Sequence, residues 1–175
     1  FYIARDDEIK AGKVTDVYFV RTKSVLEKVG AADRRVYAEV HAYGFPSGYS
    51  WAVFAGVEEV ARMLEGKPIN VYAMEEGEVF RVYEPVMAIE GRYLDFGVYE
   101  SSLLGILRHA TSVATKAARV KLAAGDKTLL FFGIRSVHPA VAPMVDRYAF
   151  IGGCDAVSGI LGAELMGVKP VGTMP

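Results

Sequence analysis

The feature that most restricts the fold is the stretch from residue 99 to about 124. There Leu103, Leu107, Ala110, Ala114 and Ala117 recur every three or four positions, with Leu104, Ile106, Val113, Ala118 and Leu122 beside them. This spacing predicts one long, mostly apolar helix, ended by Gly125-Asp126. A helix this apolar is central, and the rest of the chain must be arranged around it.

The two sides of that helix carry different patterns. Ahead of it, residues 16 to 28 read as a helix stopped near Gly30, and residues 35 to 42 alternate, with Val36, Ala38, Val40 and Ala42 on one face. Residues 51–54 form a short apolar strand, and residues 56–65 a helix with Val57, Val60, Ala61 and Leu64 on one side. Three short strands follow at 69–74, 78–83 and 86–89, with Glu75-Glu76-Gly77 as a solvated turn. Behind the long helix the chain alternates: strand 128–133, a helix from Pro139, a strand or turn at 152–155, helix 156–166 closed by Gly167, and strand 169–172. Such alternation predicts parallel α/β structure, and it stops after about three strands where a closed barrel needs about eight. The expected class is α/β: an α+β unit with its connecting helix over 1–112, then the first part of an irregular barrel over 113–175.

Composition removes several function classes. The 175 residues are 52% hydrophobic and 23% charged, which excludes a disordered tail or a coiled coil. A net charge of −1, from 20 basic and 21 acidic residues, gives no field for nonspecific attraction to nucleic acid or to an anionic membrane. Apolar runs such as 128–134 fall far short of the ~20 residues of a membrane helix. One cysteine, Cys154, cannot make an internal disulfide, so a reducing, cytoplasmic setting is expected. The absence of Gln and the single Asn70 point to a hot source. Phe1 in place of Met, and Pro175 directly after an apolar segment, make both ends look cut.

Candidate chemistry lies at strand ends. Phe132-Gly133-Ile134-Arg135-Ser136-Val137-His138-Pro139 follows an expected buried strand, where α/β active sites form. Arg135 offers a planar fork for a carboxylate or phosphate, and Phe132 a stacking face; equally, Phe132 fills core and Arg135 makes a surface ion pair. Gly152-Gly153-Cys154-Asp155 suggests the same geometry again, with Asp155 either facing a ligand or capping a helix. Gly172-Thr173 suits a phosphate. His41 and His109 read as structural, and neither they nor Cys154 has the spacing of a zinc site.

Thr15-Asp16-Val17-Tyr18, Phe132-Gly133-Ile134-Arg135 and Gly172-Thr173-Met174-Pro175, in this order, resemble nicotinate phosphoribosyltransferase, with further matches at 53–56, 100–104, 114–119 and 152–155. The resemblance implies a hammerhead-like N-terminal unit and an irregular α/β barrel in a homodimer with shared sites. It also implies the joining of nicotinate and phosphoribosyl pyrophosphate into nicotinate mononucleotide, coupled to ATP hydrolysis and assisted by Mg²⁺. Phe132 and Tyr18 of the partner protomer would sandwich the pyridine, Arg135 would meet an anionic group, and Thr173 with Gly172 would face phosphate. Asp155 would orient Arg135 or the ribose, Asp16 would fix the loop carrying Tyr18, and Gly133 and His138 would support the site. The family's phosphorylated histidine is expected directly after Pro175, so no catalytic residue is expected within the chain and the 175 residues alone should be inactive. A structural zinc belongs only to a missing C-terminal part. The alternatives are a quinolinate or nicotinamide phosphoribosyltransferase, or a barrel-sandwich carrier, which lacks its exposed lysine here.

Overall fold

The computed structural model describes residues 2–174; Phe1 and Pro175, the first residue and the end of the Gly-Thr motif, lie outside them. The long apolar pattern forms α5 (Glu100–Ala124), an unbroken 25-residue helix about 37 Å long. Its stripe is used in succession. Leu103 and Leu107 join the core under the N-terminal strands, Ala110 and Ala114 meet Val53, Ala55 and Tyr148, and Ala117 packs with Ala149 and Cys154.

The N-terminal half is an antiparallel unit. Preceding it are α1 (Asp6–Lys10) and α2 (Val17–Lys28), the latter packed on the turn Gly97–Tyr99. Strands β1 (Arg35–Val40), β3 (Asn70–Ala73) and β5 (Met87–Arg92) form a sheet in the order β1-β5-β3, with Tyr37 opposite Glu90 and Glu90 opposite Asn70. Strand β2 (Ala52–Val53) leads into α3 (Val57–Leu64) and pairs with β4 (Val79–Phe80). Of the three consecutive strands expected at 69–89, the first and last therefore pair with each other as β3 and β5, and the middle one does not join them. The middle one leaves its sequence neighbours for β2, because this brings Phe80 against Phe54 and Phe45 in the core.

A short turn, α4 (Tyr93–Phe96), connects β5 to α5. Beyond α5, β6 (Leu130–Phe131) and β7 (Ala156–Val157) pair in parallel, separated by α6 (Ala142–Ile151) and followed by α7 (Ile160–Met166). Two expectations are corrected here. Residues 156–157 start no helix: pairing with β6 outweighs a helix-compatible pattern, and the helix begins only at Ile160. Residues 169–172 make no strand, although the Val171 N–H donates to the Val157 carbonyl at 3.0 Å and holds that segment beside β7. Among the described residues no helix is long and apolar enough to cross a membrane.

Candidate functional site at the carboxyl edge of the parallel strands

Two ladder bonds fix the site. The Ser158 N–H donates to the Phe131 carbonyl at 3.0 Å, and the Val171 N–H to that of Val157 at 3.0 Å. Residues 132 and 158 thus leave their strands side by side, with the segment at 171–172 held next to β7, at the edge where α/β folds place ligands. Phe132 begins a 3-10 turn, Gly133–Ser136, and is 50% exposed. The strand before it is half-buried, not buried as expected, because among the described residues only β7 pairs with it.

Gly133 is required: a Cβ there would overlap the Phe131 ring, which lies under the turn. Arg135 is exposed, and among the described residues no carboxylate pairs with it. Its guanidinium is available to an anion. Gly172 and Thr173 are exposed. His138 stands in the turn leading to α6, its Nδ1 accepting the Ala140 N–H at 3.1 Å.

Asp155 does not join this group, and among the described residues its carboxylate bonds to Lys121 and Leu129 and not to Arg135. It precedes β7, so it sits at the opposite, amino edge of the pair. Its Oδ2 accepts the Leu129 N–H and the Lys121 ammonium, both at 2.7 Å, and these hold its pKa below the usual carboxylate value. The geometry expected of Asp155 belongs instead to Ser158, three residues on, a half-buried polar residue between Val157 and Gly159. Its signal was a polar residue at a strand end, hidden while residues 156–166 were read as helix.

Tyr18 and Asp16 are elsewhere. Tyr18 is 60% exposed on α2, edge-on to Phe19 at 4.4 Å. The Asp16 carboxylate accepts the Ser101 hydroxyl at 2.6 Å, while its own N–H donates to Ser101 Oγ at 3.3 Å. This clamp fastens the start of α2 to the first turn of α5.

Two acidic residues prove to be more than sequence reading made of them. Glu76, placed in a solvated turn, has a side chain only 14% exposed. It accepts the Gly56 N–H at 2.6 Å and pairs with Arg147 of α6 at 2.5 Å. Burial alone would raise its pKa, but Arg147 and the backbone N–H groups of Gly56 and Glu58 outweigh that and hold it below the usual value. Arg147 also meets Glu58 at 2.6 Å, and Tyr148 donates its hydroxyl to Glu59 at 2.5 Å, so the antiparallel unit is latched to α6. Asp146, 1% exposed, has no hydrogen-bond partner on either carboxylate oxygen among the described residues. Burial raises its pKa. Its carboxyl fills a notch left by Gly159 and Gly162, where any Cβ would overlap it.

Comparison with known proteins agrees with this architecture. Residues 16–111 match the family model described as quinolinate phosphoribosyl transferase, N-terminal domain. A nicotinate phosphoribosyltransferase of Dictyostelium discoideum is 28% identical over 98% of this chain and 36% of its own length. The crystal structure of nicotinate-nucleotide pyrophosphorylase from Pyrococcus furiosus superimposes with a TM-score of 0.96 at 60% identity, over 100% of this chain and 45% of that one. Human nicotinic acid phosphoribosyltransferase gives 0.85 at 26% identity, over 93% and 39%. The chain thus spans less than half the length of these relatives. With more than half of its residues matched by the family model and the same fold in both structures, the chain belongs to the quinolinate phosphoribosyl transferase N-terminal domain family.

Proposed function

We propose that this chain carries the base-binding side of a phosphoribosyltransferase of NAD synthesis whose substrate is nicotinate. The observation that carries the reading is the exposed Phe132 ring and, in the turn it begins, the exposed Arg135, which has no carboxylate partner among the described residues, at the carboxyl edge with Ser158. Nicotinate is a flat ring bearing one carboxylate, and this edge offers one stacking face and one planar fork. The names of the relatives support the reading.

In the proposed reaction the pyridine nitrogen bonds to C1′ of the phosphoribosyl group while the bond from C1′ to pyrophosphate breaks, its electron pair leaving with pyrophosphate. Phe132 holds one face of the ring, and Arg135 pairs with the carboxylate and aims the nitrogen. Ser158 lies against the ring edge, and the Gly172-Thr173 backbone and hydroxyl meet phosphate. Tyr18, fastened to the antiparallel unit, covers the other ring face from a second copy of the protein, which makes the working form a homodimer. ATP hydrolysis drives the transfer. The described residues do not make a magnesium site: among them no three or more His, Cys, Asp and Glu side chains cluster to hold a metal, and Asp155 is already saturated at the far edge. No step is therefore routed through that ion.

Quinolinate is the second reading, favoured by the family description. It carries two carboxylates, yet segments 132–138, 158–162 and 171–174 hold a single Arg or Lys, Arg135. Assaying the full-length protein with nicotinate, nicotinamide and quinolinate, each with phosphoribosyl pyrophosphate and with or without ATP, decides among them. Turnover of nicotinate, faster with ATP, is expected; turnover of quinolinate alone, or of no pyridine, overturns the proposal. Arg135→Ala should raise the KM for nicotinate about tenfold or more without lowering Tm. The 175 residues alone should show no turnover.

A further inference from the structure

The antiparallel unit contains a cavity of about 870 Å³ on the face of α5 away from α6, distinct from the strand-end site. One wall is α5, where Leu104, Arg108, Ser112 and Lys116 repeat every four residues. The opposite wall is the loop after β1, with Tyr43, Phe45 and Tyr49, and the floor is Phe54 and Phe80. Arg108 and Lys116 stand about 12 Å apart along the helix axis. Both are exposed, and among the described residues neither has a carboxylate partner. Among the described residues no Asp or Glu lines the cavity. The hydroxyls of Thr111 and Thr115 do not serve a ligand, because they are spent on the backbone of Ala55 and Val53 and lock the helix in place.

The aromatic wall is held at an energetic cost. Tyr83 has φ +65°, a left-handed conformation that non-glycine residues rarely adopt, stabilised by its N–H donating to the Ala42 carbonyl at 2.9 Å. Its ring lies 6.1 Å from Tyr43 and 6.2 Å from His41, and the Tyr43 and His41 rings meet edge-on at 4.8 Å. Tyr43 nevertheless remains 78% exposed. The Arg119 guanidinium lies 3.9 Å over the Tyr49 ring and pins the far rim. We propose that this cavity binds a nucleotide, its base against the aromatic wall and its phosphates on Arg108 and Lys116. The volume falls within the range of ligand pockets, and flat apolar surface beside two spaced cations without a neighbouring anion matches a phosphorylated heteroaromatic.

The test is photolysis of the full-length protein with 8-azidoadenosine 5′-triphosphate, followed by digestion and peptide mapping, which reads position and not activity. Label is expected on peptides spanning 41–49 or 104–119, displaced by ATP, displaced weakly by tripolyphosphate and not at all by adenosine. Arg108→Gln with Lys116→Gln should reduce that label about tenfold or more. Ser112→Glu, an exposed position between the two cations, should do the same with Tm unchanged and stands in if the double variant fails to fold. Label confined to other peptides, label indifferent to these variants, or tripolyphosphate competing as well as ATP would overturn the proposal. None of these outcomes depends on which pyridine the protein uses.

Discussion

The antiparallel unit and the parallel pair are built on the same helix and use it differently. The first closes over α5: Phe54, Val60, Met87 and Leu103 are almost wholly inaccessible, and β1 and β5 line one continuous core. The second lays two residues of β6 beside two of β7 and leaves Phe132, Ile134, Ile160 and Leu165 exposed. Surface that is closed supplies stability, while surface left open at strand ends supplies binding. The same residue type accordingly does opposite work in the two regions.

Phenylalanine gives the sharpest way to break that contrast. Phe54→Ala should cost about 3–5 kcal/mol in denaturant unfolding of the full-length protein, since a fully buried ring leaves a cavity. Phe132→Ala should change stability by only about 0.5 kcal/mol yet weaken nicotinate binding; a stability loss matching that of Phe54→Ala would erase the distinction. The joint between the regions comes next. A Cβ at Gly152 would overlap the Ala114 carbonyl oxygen and lie 2.7 Å from Ala117 Cβ. Gly152→Val should therefore lower stability by about 1–3 kcal/mol and loosen α6, seen as faster hydrogen exchange at residues 142–151.

The latch across the joint gives a pH signature. Glu76→Gln should cost about 1–3 kcal/mol at neutral pH, because Arg147 loses the more buried of its two carboxylate partners. The folded pKa of Glu76 lies below its ordinary 4.5, so its contribution is complete above that pH and lost as pH falls through the folded value. Stability curves of the parent and the variant should converge in acid; a constant gap would mean that packing, not charge, holds the latch. The smallest effect is expected at the surface. Arg62→Ala removes an exposed pair with Glu58 and should move stability by less than about 0.5 kcal/mol.

The contrast also explains what the sequence could reveal. Helix α5 begins one residue from its expected start, because a stripe repeated over seven turns is a strong signal. Helices α2 and α3 and the alternation of β1 were equally readable. Strand partners were not, since the two residues of β4 contain nothing that distinguishes β2 from β3 as a neighbour. At the site, the position of Phe132 and Arg135 directly after a strand was legible. Asp155 misled because strand β7 is only two residues long: an error of three positions moved a carboxylate from one edge of the sheet to the other. Glu76 could not be found locally either, since its partner Arg147 is 71 residues away.

Asp146 with Gly159 and Gly162 has a consequence for the order in which this protein can change. Each glycine position is closed to every side chain while the carboxyl occupies the notch. Replacing Asp146 by alanine or serine first removes the carboxyl that a Cβ at 159 would overlap, whereas a Cβ at 162 would still lie 2.7 Å from the Cβ of residue 146. A larger residue at 159 is therefore reached through position 146, while 162 stays closed by the Cβ of that same residue.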